Sequence, residues 1–190
     1  MVKPLFRKFA IILVSGAFLA GATAATASAE PAAVPAKYRL ATIESGVTPK
    51  VKVNKRVYAA GAKRAGKALT SAEKGTISAA AVSCWSWDAW KTGKSLVGLT
   101  LWKSHHRVNW CGDGSWIRSH AYTERWGETF APGWNDKGVE QQGSRYGVNW
   151  NQYNSWTQHK FCFVSYFSCV QEAHPYHNTT VWPNGAGQWN

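Results

Sequence analysis

The sequence predicts an all-β domain in residues 82–190, a compact antiparallel sandwich or barrel held by two disulfides. All twelve tryptophans and all four cysteines lie in this part of the chain. Short runs of alternating apolar and polar residues are separated by turn sequences there, and no long helical period occurs. About 110 residues can bury one core of this kind, and disulfides help where a core is small.

The N-terminal residues 1–29 have the three parts of a secretory signal peptide. Three basic residues lie at its start, Phe9–Ala20 is apolar, and Ala27-Ser28-Ala29 offers a cleavage site. The apolar stretch is too short for a transmembrane anchor, which needs about 20 residues to span a bilayer. We therefore expect an extracellular protein that is secreted, with attachment to the cell wall as a further option.

Residues 30–81 are rich in alanine, lysine and glycine, and they hold only two aromatic residues, Tyr38 and Tyr58. This segment contains ten basic residues and three acidic ones. Such a segment buries too little apolar surface to offset its ordering entropy, so we expect a flexible basic leader. It would be a linker, a pro-segment or an arm that binds an acidic cell wall. Thr70 and Glu73 have the spacing of a capping box, which predicts a short helix.

The longest alternating stretch, Leu96–Trp126, predicts a β-hairpin with a two-residue Asp113-Gly114 loop. This register places Lys103 opposite Glu124. One face of the hairpin is apolar and predicted to face the core, whereas the other is polar and faces solvent. The outer face and the residues after the turn form the first candidate binding surface: His105, Arg107, Arg118, His120 and Tyr122.

Export places the cysteines in an oxidising compartment, where an even number in a small domain indicates disulfides. Three pairings are possible. The symmetry of Cys162 and Cys169 about a predicted turn favours a cross-strand bond between them, which leaves Cys84 to pair with Cys111.

The formal net charge of +12 lies mostly ahead of the β domain, because residues 81–190 carry nine basic and seven acidic residues. A nucleic-acid interface needs a basic patch on the folded domain, so we expect no nucleic-acid partner. The histidines show no spacing that is specific for zinc. We expect neither a metal nor another cofactor.

A second candidate surface combines aromatic rings with amides in the stretch after the hairpin. Sugars present an apolar CH face and a polar edge, so their sites need flat rings beside hydrogen-bonding groups. Side chains of both kinds occur together here: Trp134, Trp150, Asn151, Tyr153, Asn154 and Trp156. The alternative is that these rings fill the core and the amides cap turns. The pattern predicts a binding module for polysaccharide or for a cell-wall polymer such as peptidoglycan.

Two other classes of function stay open. A secreted antimicrobial or membrane-active protein would contact lipid through surface tryptophans, with the basic leader as a targeting arm. A small secreted glycoside hydrolase would need two facing carboxylates. No catalytic residue is assigned, and an enzyme is less expected than a binding module. The candidate carboxylates are Glu124, Glu128, Asp136 and Glu140.

Four features of the sequence together resemble those of a known group of proteins. They are the signal peptide, the basic leader, the Asn109–Ser115 turn, and the element from Phe161-Cys162-Phe163 to Ser168-Cys169-Val170. The chain resembles a group of small secreted Trp-rich, two-disulfide proteins of high-GC Gram-positive bacteria. This resemblance implies secretion and a disulfide-held β domain, and it implies no catalytic residue.

Overall fold

The computed structural model describes residues 33–165 and 167–190, and the predicted signal peptide lies outside them. The described residues form two antiparallel sheets that pack together, so the predicted all-β fold is confirmed as a sandwich. None of the helices in this described part has the length and hydrophobicity that a bilayer span requires. In chain order the elements are a short 3-10 helix (Ala36–Tyr38), β1 (Leu40–Val47), β2 (Val51–Lys52), α1 (Lys55–Arg64), α2 (Ser71–Ser78), β3 (Ser83–Ser95), β4 (Thr100–Gly112), β5 (Tyr122–Thr129), β6 (Trp134–Tyr146), β7 (Tyr153–Ser165), β8 (Ser168–Ala173), β9 (Tyr176–Val181) and β10 (Gly187–Trp189).

Sheet 1 contains β1, β3, β4 and β5 in that order, and β2 pairs with the beginning of β3. Sheet 2 contains β10, β9, β7 and β6 in that order, and β8 pairs with the end of β7. The two sheets meet through inward side chains of β4 and β7. The Trp102 ring, for example, stacks on the Phe161 ring with their centroids 4.7 Å apart.

Both predicted disulfides are confirmed, and each one links neighbouring antiparallel strands. Cys84 lies directly opposite Cys111 on β3 and β4. Cys162 and Cys169 join β7 to β8 beside their hairpin loop. The bonds therefore hold each sheet together rather than one sheet to the other.

The predicted faces of β4 are confirmed, but the predicted register of the β4–β5 hairpin is wrong. Lys103 lies opposite Glu128 rather than Glu124, and Glu124 lies opposite Arg107. Residues 113–121 form the connection instead of a two-residue loop. Because the register shift is an even number of residues, the side chains of β4 and β5 keep their predicted faces.

The connection is longer than predicted because Asp113 caps a local turn. Its carboxylate accepts hydrogen bonds from the backbone N–H groups of Ser115 and Trp116 and from the Arg118 guanidinium. Burial opposes ionisation of this carboxyl, but these donors outweigh it and lower the pKa of Asp113. The Asp-Gly pair thus ends a strand without closing the hairpin.

Replacing Asp113 by alanine is expected to lower the free energy of unfolding by about 1 to 2 kcal/mol, because two backbone donors and Arg118 lose their acceptor. Urea denaturation followed by tryptophan fluorescence measures this change. Asp113→Asn keeps an acceptor for the two N–H groups and should lose less. Equal stability of all three proteins would contradict the capping role.

Residues 33–81 are not the flexible leader that their composition predicts. β1 pairs with β3 along its whole length and forms one edge of sheet 1. Helix α1 packs on the outer face of this sheet through Tyr58, which is fully buried. The Tyr58 hydroxyl donates a hydrogen bond to the His120 carbonyl and accepts one from the Ser119 hydroxyl. A Cβ at Gly61 would collide with the Tyr122 hydroxyl, so this close approach requires glycine.

The predicted capping box is present at the start of α2. The Thr70 hydroxyl accepts from the Glu73 backbone N–H, and the Glu73 carboxylate accepts from the Thr70 backbone N–H. Leu69 and Ile77 are buried beside the Cys84–Cys111 disulfide in the same cluster as Tyr58. A few well-placed apolar residues therefore anchor this segment, because the sheet supplies the rest of the core.

The interior of the sandwich is polar in its middle, where three buried histidines form what we call the histidine layer: His106, His159 and His177. The rings of His106 and His177 stack with their centroids 5.6 Å apart. His106 shares a hydrogen bond with the Thr157 hydroxyl, and His177 shares one with the Ser104 hydroxyl. Burial, reinforced by neighbouring titratable groups, lowers the pKa of His106 to about 2 and that of His177 to about 3.

Candidate functional site

A cleft of about 350 Å³ opens where β5 and β6, the edge strands of the two sheets, approach each other. We call it the edge cleft. Its walls come from the start of β5, the end of β6, the loop that follows β6 and the residues after α1. The lining side chains that matter below are Lys67, His120, Arg125, Ser144, Tyr146 and Trp150.

Two exposed aromatic rings stand together in the edge cleft. The Tyr146 and Trp150 side chains are 48% and 54% exposed, and their ring centroids lie 5.1 Å apart at an angle of 52°. They are large apolar surfaces that the fold leaves open to solvent, in contact with each other and next to polar groups. Such a grouped pair is typical of a binding surface.

The loop that carries Trp150 is held in place by backbone hydrogen bonds. The Asn149 N–H donates to the Ile117 carbonyl, and the Ile117 N–H donates to the Trp150 carbonyl. Tyr146 and Asn149 have positive φ angles of 66° and 63°, a region that side chains larger than glycine rarely adopt. The ring pair is therefore presented by a fixed turn.

Arg125 forms the polar floor of the edge cleft. Its guanidinium donates hydrogen bonds to the Thr157 hydroxyl, the Thr123 carbonyl and the Ser155 hydroxyl. Burial lowers the pKa of this group. Among the described residues, no carboxylate lies within ion-pair distance of it. The guanidinium is thus a fixed, half-buried positive charge beside the aromatic pair.

His120 lies at the mouth of the edge cleft and is oriented by Glu73 of α2. The Glu73 carboxylate accepts a hydrogen bond from the His120 backbone N–H and lies within hydrogen-bond distance of the His120 ring. Burial opposes ionisation of Glu73, but hydrogen bonds from Thr70 and His120 outweigh it and lower the pKa of Glu73. The N-terminal segment therefore helps to build this site.

The structure divides the predicted aromatic and amide set among three places. Trp150 and Tyr153 line the edge cleft, although Tyr153 is buried, and Asn151 is exposed directly after Trp150. Trp134 fills the core, where its ring meets that of Trp102, so its prediction as a binding residue is wrong. Asn154 and Trp156 lie on the outer face of sheet 2.

These two outer residues of sheet 2 already have partners. The Asn154 amide donates hydrogen bonds to Asn178 and Thr180 on β9. The Arg145 guanidinium lies over the Trp156 ring, 5.3 Å from its centroid. They form a structural surface that is separate from the edge cleft.

The first candidate surface is also divided. His120 and the buried Tyr122 line the edge cleft, and Arg118 pairs with Asp113 in the connection. His105 and Arg107 lie on the outer face of sheet 1, where Arg107 lines a groove of about 520 Å³. The predicted continuous surface is therefore wrong, because the longer connection carries Arg118 and His120 away from the strands.

The outer face of sheet 1, in and beside this groove, has a set of polar contacts. His105 Nδ1 lies 2.7 Å from the Asp88 carboxylate, and the His105 ring stacks on Trp126 with centroids 4.2 Å apart. The Arg107 guanidinium also lies over the Trp126 ring, 4.7 Å from the ring centroid. One of its nitrogens lies 3.7 Å from the Glu124 carboxylate. These charges are compensated within the groove, unlike that of Arg125 in the edge cleft.

The carboxylates considered for hydrolysis each have another role in the structure. Glu124 pairs with Arg107, and Glu128 accepts a hydrogen bond from the Trp126 indole. Asp136 accepts from the Gly138 N–H in a turn. Glu140 pairs with Lys160 and His174. Within the described part of the chain, no group of three or more His, Cys, Asp or Glu side chains is placed to hold a metal ion.

Sequence reasoning missed three residues of these sites, Arg125, Tyr146 and Asp88. A signal existed for Arg125, since the alternation of the hairpin places a charged residue on the face that points to the core. Asp88 gave no such signal, because it lies on the outer face of β3 opposite Arg107, where a charged residue is ordinary. Tyr146 gave none, because its role depends on the turn that brings it to Trp150.

No protein-family model, curated protein or solved structure matches this chain.

Proposed function

We propose that this protein is a secreted glycan-binding module that holds a polysaccharide or a peptidoglycan chain in the edge cleft. The observation that carries the proposal is the exposed Tyr146–Trp150 ring pair beside fixed polar side chains. The two disulfides support an extracellular location, where such polymers occur.

The chemistry of the cleft suits a sugar ring. A sugar has an apolar CH face that packs on an aromatic ring, and hydroxyls at its edge that need donors and acceptors. Trp150 supplies the flat ring, while Ser144 and His120 supply hydrogen-bonding groups on the surrounding walls. Sites for small molecules commonly combine apolar surface with a few fixed polar groups in this way.

The charge of the edge cleft favours one class of glycan over another. Arg125 and Lys67 line the edge cleft, and no acidic residue lines it in the described part of the chain. A half-buried guanidinium with no carboxylate partner favours a ligand that brings negative charge. Acidic cell-wall glycans therefore fit this site better than neutral ones.

Replacing Trp150 by alanine is expected to weaken binding of the full chain to insoluble peptidoglycan at least tenfold, which is about 1.4 kcal/mol. Co-sedimentation with peptidoglycan, chitin and cellulose measures the binding. Trp116 is a matched control, because it is exposed to a similar extent but does not line the edge cleft, so Trp116→Ala should bind as the wild type does. The proposal fails if the wild type sediments with none of the polymers, or if both variants bind equally.

A further inference from the structure

One end of the sandwich presents apolar side chains on the tips of three separate loops. The β3–β4 loop, the β5–β6 loop and the β7–β8 loop all lie at the end where β4 begins and β7 ends. We call this the tip end. Its exposed apolar side chains are Leu96, Val97, Leu99, Phe130 and Phe167.

Backbone hydrogen bonds show that the three tips are neighbours. The Phe130 N–H donates to the Leu101 carbonyl at the start of β4, at 3.0 Å. At the other side of the same loop, the Val164 N–H donates to the Gly133 carbonyl near the end of β7, at 2.8 Å. The β5–β6 loop therefore bridges the other two tips, and their apolar side chains belong to one surface.

These exposed side chains are not part of the hydrophobic core. Directly beneath them, Leu101, Trp102 and Phe161 are already fully buried. Val97 is 72% exposed, and Phe167 is fully exposed. Clustered apolar residues that protrude beyond a closed core indicate contact with an apolar partner.

Three backbone N–H groups of the β3–β4 tip are hydrogen-bonded within the loop. The Ser95 N–H donates to the Leu99 carbonyl, the Gly98 N–H donates to the Ser95 carbonyl, and the Leu99 N–H donates to the Ser95 hydroxyl. An unpaired backbone group is costly in an apolar medium. This tip can leave water without stranding those groups.

The charges around the tips are mostly basic. In the segments at and beside the tips, residues 36–44, 94–103, 127–137 and 163–170, there are five basic residues and three acidic ones. The basic residues are Lys37, Arg39, Lys94, Lys103 and Lys137, and the acidic ones are Glu44, which pairs with Lys94, Glu128 and Asp136. An apolar surface with a basic surround complements an anionic lipid bilayer.

We propose that the tip end inserts shallowly into the interface of a bilayer that contains anionic lipid. Three protruding tips suit a fluid interface that closes around each of them, whereas a rigid protein partner would need a matching depression for each one. The exposed tryptophans, Trp116 and Trp150, lie in loops of the opposite end. The side chains that enter the lipid are thus leucine, valine and phenylalanine, and the edge cleft points away from the membrane.

Vesicle co-sedimentation of the full chain tests this proposal. The wild type should sediment with vesicles of phosphatidylcholine mixed with phosphatidylglycerol, and at least tenfold more weakly with phosphatidylcholine alone. A double variant, Leu96→Ser with Val97→Ser, should reduce the binding to mixed vesicles at least tenfold. Both residues are exposed, so its thermal unfolding should match that of the wild type.

Val51→Ser is the matched control, because Val51 is an exposed apolar residue on β2, which pairs with the beginning of β3 far from the tips, and this variant should bind vesicles as the wild type does. Binding that survives the double substitution, or that is equally strong on both kinds of vesicle, would overturn the proposal. Self-association that disappears in the double variant, without vesicle binding by the wild type, would assign the tips to a second copy instead and also overturn it.

Discussion

A variant that lacks residues 1–81 is expected to lose cooperative folding, although it keeps every tryptophan and both disulfides. The deletion removes β1 from the edge of sheet 1 and uncovers the outer face on which α1 and α2 pack. It also removes three large buried side chains, Tyr58, Leu69 and Ile77. At about 1.5 to 3 kcal/mol for each buried apolar side chain, this loss matches much of a typical domain stability of about 5 to 15 kcal/mol.

Thermal unfolding followed by near-UV circular dichroism measures the effect of this deletion. A second variant that lacks only residues 1–32 keeps all contacts of the described residues and should unfold as the full chain does. If the variant without residues 1–81 unfolds cooperatively at the same temperature as the full chain, the packing of this segment contributes nothing to stability. That result would restore the linker interpretation.

Lowering the pH from about 7.5 to about 5 is expected to reduce the free energy of unfolding by about 4 kcal/mol. Burial keeps the pKa of His106 at about 2 and that of His177 at about 3, whereas in the unfolded chain both titrate near 6.5. Between these values the unfolded state binds protons that the folded state does not. Their contribution is thus complete above about pH 6.5 and declines as the pH falls, by about 2 kcal/mol for each histidine at about pH 5.

Urea denaturation at the two pH values measures this loss of stability. Replacing His106 or His177 by glutamine should weaken the dependence of the unfolding free energy on pH. The reason is that one of the two groups that bind a proton only in the unfolded state is then absent. His174 is the matched control, since hydrogen bonds from its ring to Glu140 and Glu172 raise its pKa. The His174→Gln variant should therefore still lose stability when the pH is lowered. Equal stability of the wild type at both pH values would contradict a neutral histidine layer.

The sequence predicts the parts of this fold that depend on local pattern. Alternation along β4 assigns its inward and outward faces correctly, and the cross-strand argument identifies the Cys162–Cys169 pair. The first signal arises from the two-residue period of a strand, and it survives the wrong register of the β4–β5 hairpin because an even shift leaves that period unchanged. The second arises from the closeness of the two cysteines to one turn.

The parts that could not be predicted depend on contacts between distant segments. The turn preference of Asp113-Gly114 is overridden by the ion pair of Asp113 with Arg118 and by pairing of the connection with the loop near Trp150. The segment before the β domain is ordered by Tyr58, a single aromatic residue in a basic stretch. Its partners lie more than 60 residues away.

The candidate site was predicted only in part for the same reason. Trp150 and His120 were each identified, but in two different surfaces, and only the fold brings them to one cleft. The side chains that complete the cleft, Arg125 and Tyr146, come from two sheets. The composition of one stretch of chain cannot specify a site of this kind.

Two-dimensional NMR of the indole N–H groups tests the proposed glycan site most directly, because the twelve tryptophans are spread over the whole fold. A titration of the full chain with soluble peptidoglycan fragments should shift the Trp150 indole signal. The signals of Trp126 on the outer face of sheet 1 and Trp156 on the outer face of sheet 2 should stay unchanged. A shift confined to Trp126 or Trp156, or no shift at a saturating fragment concentration, would contradict binding in the edge cleft.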